Sequence, residues 1–176
     1  MRIPVFVSCP TVLNKSQKYS HRLILRELVR VGFEPRALGR SDYPTSLPLR
    51  EVFLLANHCS GGVILGFEQF LATSGEFKRG TPERKRLTGA IPLPSPWNHL
   101  EAGVLFSLGL PLLVFKEAAI EGGIFDAGVS DVFVHKMPLV GMSTENREAF
   151  TAVFMKWQAE VRTHYYRHTA RVRGEE

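Results

Sequence analysis

Cysteine is scarce in this sequence of 176 residues, which has only Cys9 and Cys59. The two residues form no C-x-x-C pair, and no histidine stands at the spacing of a tetrahedral zinc site. A disulfide scaffold and a structural metal are therefore disfavoured. We expect neither a metal site nor a bound cofactor.

Long apolar runs are also missing. No stretch approaches the roughly 20 apolar residues that cross a bilayer, and Pro4 and Ser8 break the apolar start before it reaches the length of a signal-peptide core. The glycine pairs at 61–62 and 122–123 lack the G-x-G-x-x-G spacing of a Rossmann fingerprint. These absences predict a cytoplasmic protein without a membrane segment, in which any NAD site is not of the Rossmann kind.

Acidic residues are outnumbered, with 17 against 22 lysines and arginines, which gives a net charge of +5. The excess favours anionic partners, but no nucleic-acid motif accompanies it, so a nucleic acid is not the expected partner. The basic segment 78–86 could fold over a pyrophosphate or could be solvated surface. The basic residues cluster in two places, at Lys78, Arg79, Arg84, Lys85 and Arg86, and at Arg162, Arg167, Arg171 and Arg173.

The residues that are present fit one domain over 1–176, since 44% of them are hydrophobic and can fill one core. Apolar strands alternate with amphipathic helices, a pattern typical of a parallel sheet covered on both faces. We expect a flavodoxin-like α/β sandwich of three layers, with five parallel strands in the order 2-1-3-4-5. The predicted strands are 3–9, 33–38, 61–67, 112–115 and 132–135, and the predicted helices are 16–31, 49–58, 96–108 and a long C-terminal helix over 144–170.

One segment, 68–94, does not follow this alternation. It is long, basic, rich in glycine, proline and threonine, and shows little periodicity. Loops of this length inside a compact domain are usually functional lids or disordered. We interpret it as a lid-like insertion.

The predicted topology itself locates a binding site. In open parallel sheets, ligands lie beyond the carboxyl ends of the strands, where the strand order reverses, which here is between the first and third strands. The residues expected there are Ser8, Cys9 and Pro10 after the first strand, Gly66 and Phe67 at the end of the third, and Trp97, Asn98 and Glu101 on the next helix.

Glu101 is the candidate catalytic residue. On a helical wheel it falls inside an apolar stripe formed by Trp97, Leu100, Val104 and Leu108. A carboxylate in such a stripe is either satisfied by a partner at the helix start or directed into the crevice at the strand ends. Partial desolvation there would raise its pKa and suit it to acid, base or nucleophilic chemistry.

These residues resemble the TIR domain family. The first strand, Val5-Phe6-Val7-Ser8, is similar to the opening strand of that family, and Ser95, Trp97 and Glu101 have its S-x-W-x-x-x-E spacing. The resemblance covers roughly residues 3–135. It implies a stand-alone bacterial-type enzyme that cleaves the nicotinamide–ribosyl bond of NAD, with Glu101 as the catalytic acid, in antiphage defence or signalling.

A second resemblance keeps another enzyme class open. The run Glu101-Ala102-Gly103, followed by Gly109 and Pro111, looks like a motif of the nucleoside 2-deoxyribosyltransferases, which act on a deoxynucleoside and a free base. A third possibility is a module without catalysis that senses a nucleotide or mediates assembly. TIR-like enzymes commonly assemble, so that resemblance also implies a homo-oligomer.

Both enzyme families place a glutamate beside the sugar carbon of an N-glycosidic bond. Loss of the base leaves an oxocarbenium-like centre, which a carboxylate stabilises or captures. Glu101 would serve in either role, Trp97 would stack on a base or be a core aromatic, and Asn98 would bind a ribose hydroxyl or satisfy backbone groups at the helix start.

Overall fold

The secondary structure follows the predicted alternation along most of the chain. The computed structural model describes residues 2–38, 47–129 and 132–173. In chain order the elements are β1 (Ile3–Ser8), α1 (Lys15–Arg30), β2 (Phe33–Arg36), α2 (Pro48–Asn57), β3 (Gly62–Gly66), β4 (Phe70–Ala72), β5 (Glu76–Phe77), β6 (Lys85–Arg86), β7 (Ile91–Leu93), α3 (Pro96–Ser107), β8 (Leu112–Lys116), a 3-10 turn (Gly123–Phe125), β9 (Val134–Lys136) and α4 (Thr144–Arg173).

Five parallel strands form the central sheet, in the order β2-β1-β3-β8-β9. The prediction of a five-stranded parallel sheet is confirmed. In chain numbering the predicted order 2-1-3-4-5 becomes 2-1-3-8-9, because four short strands outside this sheet, β4 to β7, precede β8 in the chain. The arrangement is compatible with a flavodoxin-like fold.

Both faces of the sheet are buried, because side chains alternate between the faces along each strand. Val5, Val7 and the odd-numbered apolar residues of β3 and β8 pack against α1 and α4. Phe6, Ile64 and Val114 point the other way, into a second core that includes residues of α2 and α3. The helices therefore form one layer on each side of the sheet.

The long helix α4 covers the first of these cores. Phe154, Trp157 and Val161 are buried on the predicted apolar face, and the indole N–H of Trp157 donates a hydrogen bond of 3.1 Å to the carbonyl of Pro111. The helix runs to Arg173, three residues beyond the predicted end at 170. Among the described residues, no helix has the length and apolar character that a bilayer crossing needs.

The insertion 68–94, predicted as a long lid-like loop, contains two short antiparallel strand pairs. β4 pairs with β7, and β5 pairs with β6. Part of its positive charge is neutralised locally, because Arg84 forms an ion pair with Glu76 and Lys78 with Glu83. The strands were not predicted because glycine, proline and charged residues interrupt the apolar alternation that is typical of a strand.

The close contact between Gly66 and Phe125 gives a test of this packing. A Cβ atom at Gly66 would lie 2.4 Å from the Phe125 ring, which is completely buried. Since β3 is paired to β8 at this residue, its backbone has little room to shift. We expect Gly66→Ala to lower the free energy of unfolding by about 1–3 kcal/mol, as measured by urea titration.

Gly103→Ala is the matched control, because nothing lies within 4 Å of a Cβ at this exposed helical glycine. Alanine favours the helix over glycine by up to about 1 kcal/mol. The control should be neutral or stabilising. Equal destabilisation by both substitutions would contradict the packing of Gly66 on Phe125.

Candidate active site

Ser8 is the innermost polar residue of the predicted site. It is the last residue of β1, and its even number places it on the same face of the sheet as Phe6, towards α2 and α3. Its side chain is completely buried. A hydroxyl group therefore stands where the apolar pattern of β1 would have continued.

Helix α3 brings the partner of Ser8. Ser95 caps the helix by accepting a hydrogen bond from the backbone N–H of Trp97, and Pro96 occupies the first turn, as predicted. In the same turn Asn98 is 1% exposed, and its side-chain amide donates a hydrogen bond of 2.7 Å to Oγ of Ser8. This buried bond joins the start of α3 to the carboxyl end of β1.

Glu101 lies one turn further along α3, beside Ser8. Burial raises the pKa of its carboxyl group from 4.5 to about 7, and a hydrogen bond from the Ser8 hydroxyl opposes this rise. Burial dominates because it disfavours the charged form more than a single hydrogen bond stabilises it. Both the protonated and the ionised carboxyl groups are thus populated near neutral pH.

The helical wheel drawn from the apolar residues assigned the wrong stripe to the core. Trp97 and Leu100 are 42% and 49% exposed, whereas Asn98, Ala102 and Leu105 are buried. The inward face carries an asparagine and a small alanine, so hydrophobicity does not mark it. Glu101 lies on the border between this buried face and the partly exposed apolar stripe.

The other predicted binding residues have different environments. Cys9 and Pro10 are half-buried in the loop after β1, and Trp97 is exposed on the outer side of α3. Phe67 is completely buried in the core under α1 and α4, and Gly66 is packed against Phe125. The side chain of Phe67 is thus part of the core, and the Cα side of Gly66 is covered by Phe125.

A second polar cluster at the carboxyl edge was missed. The Glu117 carboxylate, just after β8, accepts a hydrogen bond of 2.6 Å from the backbone N–H of Glu68 and bonds of 3.3 Å from the Gln17 amide. It lines a cavity of about 860 Å³ together with His135, whose pKa is lowered by burial. The signal was a glutamate directly following a buried strand. Ser8, Asn98 and Glu101 do not line this cavity.

Comparison of the chain with protein-family models, with curated proteins and with solved structures finds no match. What the site can do must then follow from its own groups. These are a carboxyl group that titrates near neutrality, a serine hydroxyl that donates to it, and an asparagine amide that holds the serine. Such a set can stabilise a developing positive charge, accept a proton or form a covalent bond to carbon.

The raised pKa predicts a pH-dependent effect on stability. The folded state holds the Glu101 proton up to about pH 7, whereas the unfolded chain releases it near pH 4.5. The contribution of this group to stability is therefore complete below pH 4.5 and is lost as the pH rises through about 7. Glu101→Gln, which cannot ionise, should exceed the wild type in unfolding free energy by on the order of 2 kcal/mol at pH 8.

Urea titrations at pH 4.5 and pH 8 measure this difference. It should be small at the lower pH, where the wild-type carboxyl group is also protonated. Glu148→Gln, at an exposed position of α4, serves as the control and should show no comparable dependence on pH. Identical stabilities of wild type and Glu101→Gln at pH 8 would show that the carboxyl group is not desolvated.

Proposed function

We propose that this chain is a TIR-like N-glycosidase that cleaves the nicotinamide–ribosyl bond of NAD, as a cytoplasmic enzyme of antiphage defence or signalling. The observation that carries the proposal is the environment of Glu101. Its carboxyl group is partly desolvated at the carboxyl edge of the sheet and is held by Ser8. The spacing of Ser95, Trp97 and Glu101 on the capped start of α3 supports the same assignment.

Cleavage of the nicotinamide–ribosyl bond requires an ionised carboxylate. When the bond between the ribose C1 and the nicotinamide nitrogen breaks, both electrons go to the nitrogen, whose positive charge is cancelled. Nicotinamide then leaves neutral and needs no proton. The positive charge that appears at C1 and the ring oxygen is stabilised or captured by the Glu101 carboxylate.

Water completes the reaction. Its oxygen bonds to C1, and where the carboxylate has captured C1 the bond between C1 and the Glu101 oxygen breaks and releases the carboxylate. The proton of the water passes to this carboxylate and then to solvent, so the products are nicotinamide, ADP-ribose and a proton. If a nucleophilic nitrogen of the substrate's own adenine attacks C1 in place of water, the product is cyclic. The flat and partly exposed indole of Trp97 is suited to stacking on a base at the mouth of the site.

We further propose that the active form is a homo-oligomer. Helix α3 has apolar residues on its inward face and a second stripe, led by Trp97 and Leu100, that is partly open to water. A helix with apolar residues on two sides fits burial on two sides. A second copy of the chain that packs on this stripe at Leu100 would also border Glu101 and would enclose the base stacked on Trp97.

The catalytic proposal predicts that purified protein releases nicotinamide from NAD. Glu101→Gln keeps the size of the side chain but removes the charge, and we expect at least a 100-fold loss of kcat, in the range of a lost electrostatic group. In the wild type, kcat/KM should rise as the pH passes through about 7, where Glu101 ionises. Chromatography of the nicotinamide released measures both effects.

Glu148→Gln is the control and should retain full activity, because Glu148 is exposed on α4. Full activity of Glu101→Gln would exclude the catalytic assignment. Turnover of deoxynucleosides but not of NAD would favour the deoxyribosyltransferase alternative. Nucleotide binding without turnover of either substrate would favour the sensing module.

The assembly proposal predicts that activity rises more steeply than linearly with protein concentration. Leu100→Gln should weaken self-association and lower activity at a given concentration, because it places a polar amide in the open apolar stripe. Val29→Gln, on α1 at the opposite face of the sheet, is the control. Light scattering beside the nicotinamide assay tests the proposal, which a monomer with strictly linear activity would contradict.

A further inference from the structure

One buried acceptor in the site has no donor. The side-chain oxygen of Asn98, Oδ1, is shielded from solvent and makes no hydrogen bond, although the residue is only 1% exposed. Buried polar atoms are nearly always paired, and an unpaired one disfavours the folded state. At a site that also holds Glu101, such an atom points to a ligand group.

The hydrogen bonds around Asn98 fix the kind of group that is missing. The side-chain amide nitrogen of Asn98, Nδ2, donates a hydrogen bond of 2.7 Å to Oγ of Ser8. Ser8 thus accepts from Asn98, and its single hydrogen is left for another acceptor such as the Glu101 carboxylate. This direction commits the amide nitrogen to Ser8 and leaves the carbonyl oxygen as an acceptor, so the missing group is a hydrogen-bond donor.

We propose that Asn98 is a specificity residue whose Oδ1 accepts a hydrogen bond from the 2-hydroxyl of a bound ribosyl group, so that the site selects ribosyl over 2-deoxyribosyl substrates. This inference rests on the proposed N-glycosidase function, which places the sugar C1 at Glu101. It goes further by assigning the neighbouring carbon of the sugar to a second residue.

The placement of the two side chains supports the 2-hydroxyl. Asn98 and Glu101 are three residues apart on one helix, and such residues are neighbours on the helix surface. Ser8 also touches both. A carboxylate acting at C1 therefore brings the adjacent carbon of the sugar, which carries the 2-hydroxyl, towards Asn98.

A ribosyl hydroxyl donates to an oxygen that water reaches poorly, whereas a 2-deoxyribosyl group leaves that oxygen without a partner. Sites built around a buried polar atom discriminate strongly against ligands that lack the matching group. The difference should be largest where no water replaces the missing hydroxyl.

The test compares two substrates, NAD and its analogue without the 2-hydroxyl on the nicotinamide ribose. The two compounds differ in intrinsic reactivity. For each protein we therefore take the ratio of kcat/KM for NAD to kcat/KM for the analogue, and compare this ratio between wild type and variant. In Asn98→Ala we expect the kcat/KM for NAD divided by the kcat/KM for the 2-deoxy analogue to be about tenfold lower than in the wild type, as for the loss of one buried hydrogen bond. An unchanged ratio would overturn the proposal.

Two further variants separate recognition from structure. Ser8→Ala removes the bond between Ser8 and Asn98 but leaves the amide oxygen of Asn98, so it should slow both substrates alike and preserve the ratio. Asn98→Asp keeps acceptor oxygens and should restore much of the discrimination lost in Asn98→Ala. A collapsed ratio in Ser8→Ala, or no recovery in Asn98→Asp, would mean that Asn98 acts only by supporting the site.

Binding to Glu101→Gln distinguishes this inference from the proposed function. Calorimetry measures the affinity of this variant for NAD and for the 2-deoxy analogue without turnover, with and without Asn98→Ala. One outcome is that the wild type releases no nicotinamide while Glu101→Gln binds NAD more tightly than the 2-deoxy analogue and loses this preference when Asn98→Ala is added. In that case the proposed function fails and the inference stands. Equal affinities that Asn98→Ala does not alter, or no binding of either compound, would overturn the inference.

Discussion

The burial of both faces of the parallel sheet is the constraint on which the rest of this structure depends. Side chains alternate strictly between the faces of a strand, so odd-numbered apolar residues of β1, β3 and β8 face α1 and α4, and even-numbered ones face α2 and α3. With both faces covered by helices, polar chemistry is left to the edges. At the carboxyl edge, β1 ends with the polar residue Ser8 instead of an apolar one.

The two glutamates near this edge show how the fold gives the same side chain different surroundings. Glu117 follows β8 directly and accepts hydrogen bonds from a backbone N–H and from the Gln17 amide. Glu101 reaches the edge from a helix, and burial outweighs the single bond from Ser8, so its pKa is raised. Several donors stabilise the Glu117 carboxylate, whereas burial makes the charged form of Glu101 less favourable. A group held in that way is suited to chemistry that uses both protonation states.

Much of the fold could be predicted because its signals are local. The β-branched runs of β1 and β3, the serine and proline at the start of α3, and the apolar face of α4 each depend on a few neighbouring residues. The strands of the insertion could not be predicted in this way, because β4 and β7 form by pairing with each other and neither has a clear strand pattern in its own sequence. Ser8, Asn98 and Glu101 were each singled out, but the direction of the hydrogen bonds that join them depends on the packing of α3 against β1. The buried stripe of α3 was misassigned because Asn98 and Ala102 stand beside Leu105 on that face, so that it is less apolar than the partly exposed stripe.

The border position of Glu101 links the proposed assembly to the proposed chemistry. Its buried side meets Ser8, while its other side adjoins the stripe of Trp97 and Leu100, which is partly open to water. A second copy seated on that stripe would remove water from the open side and strengthen each electrostatic interaction within the site. The same contact would also make ionisation of the carboxyl group more costly. In this arrangement a positively charged nicotinamide ring near Glu101 would offset that cost, so that the bound ligand restores the ionised form in the assembled site without any additional catalytic residue.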